Sequence, residues 1–70
     1  MERRNVDSTM IRSIGHDSTA SVLEIEFISG PIWQYRDFPE SAWHEFDSAD
    51  SHWKYFHAYI KGNYSESQIG

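Results

Sequence analysis

Four histidines, His16, His44, His52 and His57, are the residues of this 70-residue chain that could ligate a metal or move a proton. A zinc site needs three or four ligands converging in a tetrahedron. His52 and His57 are five positions apart, about 140° round a helix of 3.6 residues per turn, so one ion cannot easily take both. His44 and Asp47 share a helix face at a spacing of three but have no third ligand beside them. Surface or capping histidines account for the pattern. Glu24 and Glu26 lie two apart on a predicted strand, as a paired-carboxylate site would want. A solvated strand face with Arg12 or Arg36 opposite accounts for them equally well, since cross-strand ion pairs are ordinary and contribute roughly 0.2–1 kcal/mol. No Ser-His-Asp order and no glycine-rich phosphate loop accompany them. The chain reads as a non-enzyme that uses no cofactor and no metal.

The aromatic residues carry more information. Three Trp, four Tyr and four Phe make up 16% of the chain. A buried ring removes roughly 150–250 Å² from water, so a few of them can hold a small domain together. A core this size seldom supplies more than about 3–5 kcal/mol without a staple, and there is no cysteine to form one. Most rings are therefore core. Trp53, Phe56 and Ile60 form one helical stripe, which leaves Tyr55 and Tyr59 on another face with Lys54 beside them. Either a second layer covers these rings, or they form an exposed cluster. Tyr and Trp give large contact area at low entropic cost in binding surfaces, and rings can also stack on bases at ~1–3 kcal/mol each. The candidate partner-binding residues are Trp33, Tyr35, Tyr55, Tyr59 and Lys54.

Charge separates the partner classes. Eleven acidic residues against six Lys and Arg leave a net charge of −5. Non-specific nucleic-acid affinity comes from phosphate neutralisation by clustered cations. Here Arg3, Arg4 and Arg12 lie near the start, Arg36 is alone, and Lys54 and Lys61 are on the last helix. A protein partner fits this balance better than RNA, and a basic one best. There is no basic leader followed by an apolar stretch and no apolar run near the ~20 residues of a membrane span, so a cytoplasmic protein without membrane contact is expected.

One domain, 1–70, must position these residues. Residues 1–8 read as a loose lead-in. Met10–Ile14 reads as a first strand, Gly15–Thr19 as a turn cluster, and Val22–Ile28 as an alternating strand with Leu23, Ile25 and Phe27 on one face. Ile32–Arg36 is the third strand. The hairpin has two registers. A three-residue loop, Ile28-Ser29-Gly30, pairs Ile25 with Trp33 and Leu23 with Tyr35. A two-residue loop, Ser29-Gly30, pairs Glu26 with Trp33 and turns both rings to the other face. The first gathers more apolar surface on one side and is preferred. Pro39, Glu40 and Ser41 start a helix with the stripe Ala42, Trp43, Phe46 and Ala49. Asp47–Ser51 breaks it and caps a second helix, which ends at Gly62-Asn63. Residues 65–70 read as a loose tail. The prediction is an α+β fold: a three-stranded antiparallel meander followed by two helices packed on one face.

In this frame the residues resemble a known family. Ser8-Thr9-x-Ile11, Ser13-Ile14-Gly15-x-Asp17 and Leu23-Glu24-Ile25-Glu26-Phe27-x-x-Gly30 are similar to the KTSC domain. Trp33-x-Tyr35, Pro39, Ala49-x-Ser51, Tyr55-Phe56 and Ile60-Lys61-x-x-Tyr64 continue the likeness over nearly the whole chain. The family occurs at the C-terminus of some lysyl-tRNA synthetases and as free-standing bacterial and phage proteins. The resemblance implies a small binding domain, with RNA suggested as a ligand. This chain departs from the pattern at Trp33, His16, Trp53 and His57, and it has Gln68-Ile69 where the family is basic, which weakens the RNA implication. The expectation is a non-catalytic module that binds a protein partner as a regulator or phage-type modulator of host machinery; the alternative is an RNA- or tRNA-binding domain.

Overall fold

The computed structural model describes residues 1–70. Its centre is the alternating run β3, Val22–Phe27, which pairs antiparallel with β2, Ile11–Asp17, and with β4, Ile32–Arg36. Leu23, Ile25 and Phe27 point to one side of the pleat, as period-two alternation requires. Ile14 opposite Ile25, and Ile11 opposite Phe27, extend that side across β2.

The β3–β4 hairpin takes the three-residue loop. Ile25 faces Trp33 and Leu23 faces Tyr35. The Phe27 N–H donates to the Pro31 carbonyl at 2.9 Å, which closes the ladder on Ile28-Ser29-Gly30. Gly30 has φ 120°, a conformation a side chain would strain, so glycine is favoured at this end of the loop. β2 runs further than its sequence suggests: Gly15, His16 and Asp17 are strand, and the turn is Ser18–Ser21. Asp17 shapes that turn by accepting the N–H groups of Thr19 and Ala20 at 3.0 and 3.3 Å.

The sheet has five strands in the order β1-β2-β3-β4-β5, not three. β1, Arg4–Asn5, comes from the segment read as lead-in and pairs with Ile14 and Ser13. β5, Ser65–Gln68, comes from the segment read as tail and pairs with β4, Gln68 opposite Trp33 and Glu66 opposite Tyr35. Both are polar edge strands with no apolar alternation to announce them.

Two helices cover the apolar face. α1, Glu40–Asp47, starts at Pro39, with Glu40 in its first turn where an acid suits the exposed N–H groups. α2, His52–Tyr55, is capped by Ser51, whose hydroxyl accepts the Lys54 N–H at 3.2 Å. It continues into a π-helical turn over Phe56–Ile60, closed by the Lys61 N–H to the Phe56 carbonyl at 2.8 Å. The chain leaves through Gly62 at φ 81°. Phe46, Phe56 and Ile60 from the helices meet Ile11, Ile14, Leu23, Ile25 and Tyr35 from the sheet, with Phe38 from the connection, in a core of nine buried side chains.

Candidate functional site

α1 and α2 pack through Phe46, and that contact places the exposed rings. Tyr55 lies against Phe46, with ring centroids 5.5 Å apart and planes at 35°. Its hydroxyl donates to Glu45 Oε1 at 3.1 Å, so one ring ties the two helices together. One turn on, Tyr59 lies 4.7 Å from Tyr55 at 44° and is 61% exposed. The Tyr59 carbonyl lies in the last turn, where carbonyls lack helical partners, and Asn63 Nδ2 donates to it at 2.9 Å. Tyr64 folds back onto Phe38, with centroids 4.9 Å apart, and is partly buried against the core. Burial, then the Glu45 carboxylate, then the phenols of Tyr64 and Tyr59 push the Tyr55 hydroxyl up to about 12. The result is a surface of two phenol rings, Tyr55 and Tyr59, beside one carboxylate.

The other candidates fall elsewhere. Tyr35 is 2% exposed. It sits in the core with its ring 5.7 Å from Phe56, and burial with the nearby Glu66 carboxylate raises its pKa above the ordinary tyrosine value. It is a core residue and leaves the candidate surface. Trp33 is half-buried on the same side of the sheet, between Ile25 and Gln68. Lys54 is exposed but lies one residue, about 100°, round the helix from Tyr55. Of the five residues the sequence singles out, only Tyr55 and Tyr59 come together. Glu45 completes the surface. It is not a periodic neighbour of the pair, so spacing alone does not reveal it.

On the face away from the helices, Glu24 is 6% exposed. Its partner is Arg3, not Arg12 or Arg36. Gln34 Nε2 also donates to Glu24 at 2.9 Å. Arg3 Nε donates to the Ser13 hydroxyl at 3.0 Å, and Ser13 donates onward to Glu26 at 2.9 Å. Arg36 instead donates to Ser67 at 2.8 Å. The two carboxylates are thus joined in one hydrogen-bonded network through Arg3 and Ser13.

Arg4, one residue after Arg3, points to the opposite face and meets the Asp47 carboxylate, Nε to Oδ1 at 2.8 Å. Beside these arginines, Met1, Gly15–Ser18 and Trp43 line a cavity of about 550 Å³. His16 stacks flat on Trp43, with centroids 5.4 Å apart, and its Nε2–H donates to the Phe38 carbonyl at 2.7 Å. The cavity's arginines are consumed by their ion pairs and Asp17 by its turn. His52 accepts no ligand role either: its Nε2 lies 3.2 Å from the Asp47 carbonyl, while His57 meets the ring of Trp53 edge-on at 4.1 Å. No three His, Asp or Glu side chains converge as a metal site. No helix is long and apolar enough to cross a membrane.

Comparison with known proteins gives this arrangement its context. The chain is similar to a lysine–tRNA ligase of Trichormus variabilis, 33% identical over 63 residues that make up 90% of this chain and 11% of that protein. A lysine–tRNA ligase of Nostoc sp. matches over the same shares. The chain therefore spans about a ninth of the length of those relatives. An uncharacterized protein of Stutzerimonas stutzeri is 33% identical, with 87% of this chain and 86% of that one covered. A crystal structure of a KTSC domain protein from Yersinia pestis superposes with a TM-score of 0.93 at 40% identity, covering 99% of this chain and 97% of that one. With the model of the KTSC domain matching residues 7–64, which hold β2, β3, β4 and both helices, the chain belongs to the KTSC domain family.

Proposed function

We propose that this domain is a non-catalytic binding module that docks a protein partner, as a small regulator, through the surface of Tyr55, Tyr59 and Glu45. The observation that carries the reading is the exposed Tyr59 ring, held 4.7 Å from a Tyr55 that is itself anchored on Phe46 and Glu45. Rings fixed before the partner arrives lose little freedom on binding, which is how tyrosine-rich surfaces gain affinity.

RNA is the second reading. Relatives named as lysine–tRNA ligases carry a matching segment, and exposed rings can stack on bases. Against it stand the Glu45 carboxylate at the edge of the rings and the net charge of −5, both of which oppose phosphate.

The test is affinity capture with the tagged domain and with Tyr59→Ala, each with and without nuclease. A discrete protein that survives nuclease and is lost with Tyr59→Ala is the expected result. Loss of all retained material after nuclease would transfer the surface to RNA.

A further inference from the structure

The same surface has a chemistry that selects among protein partners. Glu45 makes no ion pair within the domain. Its Oε1 accepts one hydrogen bond, from Tyr55. An ionised carboxylate can accept about four, so most of its capacity points outward unused. The ring faces beside it are electron-rich and attract cations within ~6 Å. Every group the surface presents is thus an acceptor, a ring face or a phenol.

None of the domain's own lysines or arginines pairs with Glu45. Arg3 is held by Glu24 and Arg4 by Asp47. Arg36 is bonded to Ser67 on the other side of the sheet. Lys54 lies off the tyrosine stripe, and Lys61 leaves the helix in extended conformation at φ −61°, ψ 121°.

We infer that the occupant is a cationic segment of a partner protein, with an arginine side chain stacked on Tyr59 and its N–H groups reaching the Glu45 carboxylate. Arginine suits the site better than lysine. Its planar guanidinium can lie on a ring while its edge donates two parallel hydrogen bonds to one carboxylate. The net charge of −5 steers such a segment toward the domain. This inference rests on the docking reading above and adds the partner's chemistry to it.

The experiment is a titration of the isotope-labelled domain, followed by NMR, with two short peptides of one sequence. One carries arginines and the other carries citrulline at the same positions, which keeps the shape and removes the charge. The arginine peptide is expected to shift the signals of Glu45, Tyr55 and Tyr59; the citrulline peptide is expected to leave them in place. Glu45→Gln and Tyr59→Ala should each weaken binding roughly two- to fivefold, and Tyr59→Phe should retain it. Glu40→Gln removes the same charge from the first turn of α1 and serves as the control for net charge. Equal loss in Glu40→Gln and Glu45→Gln, equal binding of the two peptides, or no shift at these residues would overturn the inference. The two proposals fail separately. A captured protein lost with Tyr59→Ala but kept with Glu45→Gln leaves the docking surface and removes its cationic occupant. Capture indifferent to Tyr59 removes both.

Discussion

The Glu2 carbonyl oxygen occupies the space in which a side chain on residue 15 would begin. The Cγ of Arg3 lies 3.0 Å from the same point. Gly15 is therefore required by the close approach of the N-terminal segment, whatever its own backbone angles. This contact, with the pairing of Arg4 to Ile14, lets two residues act as a strand.

Gly15→Ala is expected to push that segment off the edge of β2. Overpacking of this kind costs about 1–3 kcal/mol, a large share of the stability of so small a domain. The loss should appear as a lowered midpoint in thermal unfolding. It should also appear as faster amide exchange at Val6, whose N–H donates to the Arg12 carbonyl at 3.0 Å. An unchanged midpoint would mean that the segment contributes nothing to the fold.

Adjacent arginines should behave differently on replacement. Arg4 and Asp47 have side chains 53% and 34% exposed, so their pair should contribute only about 0.2–1 kcal/mol and weaken in salt. The Glu24 side chain is 8% exposed. Removing Arg3 strands a buried carboxylate on Gln34 alone, and an unsatisfied buried polar group costs about 1–3 kcal/mol or more if charged. Arg3→Met is expected to destabilise more than Arg4→Met in denaturant titrations, and only the Arg4 effect should fade at high salt. Equal effects would contradict the burial of Glu24.

Alkaline pH should open the interface between the helices. The Tyr55 hydroxyl ionises at about 12 in the fold against an ordinary 10.0, and burial raises Tyr35 in the same direction. A raised pKa favours the protonated fold. Its contribution is complete below about pH 10 and is lost as pH climbs from there through about 12. Ultraviolet titration of the phenols should resolve a late-ionising Tyr55, and Glu45→Gln should bring that step down, since the hydrogen bond and charge of Glu45 both hold it up. A Tyr55 step unmoved by Glu45→Gln would leave burial and the neighbouring phenols as the cause.

The parts of the fold that announced themselves are those in which the side-chain pattern and the backbone requirement coincide. Leu23, Ile25 and Phe27 alternate because one face of β3 is core. The hairpin takes the register that puts Trp33 and Tyr35 beside Ile25 and Leu23, the one that gathers more apolar surface on one face. Ser51 reads as a cap and is one. The edge strands stayed hidden because Arg4–Asn5 and Ser65–Gln68 bury nothing on a regular period; their pairing depends on neighbours far along the chain. Arg3 reaches Glu24 across 21 positions, beyond any local spacing rule. The π turn hides for the opposite reason, since Phe56 and Ile60 are four apart and fit an ordinary helix equally well. At the tyrosine surface, Tyr55 and Tyr59 were visible as a helical pair. Glu45 was not, because its place is set by how α1 packs on α2 through Phe46.

The order of the strands has a consequence for how the domain can be carried. Each strand lies beside its neighbour in the chain, so no segment threads between others and every ladder closes onto the strand just before it. The first and last strands occupy opposite rims of the sheet. A protein joined ahead of β1 and one joined after β5 would therefore attach at opposite rims. Such a unit can be moved between chains as a cassette, with its surface already assembled.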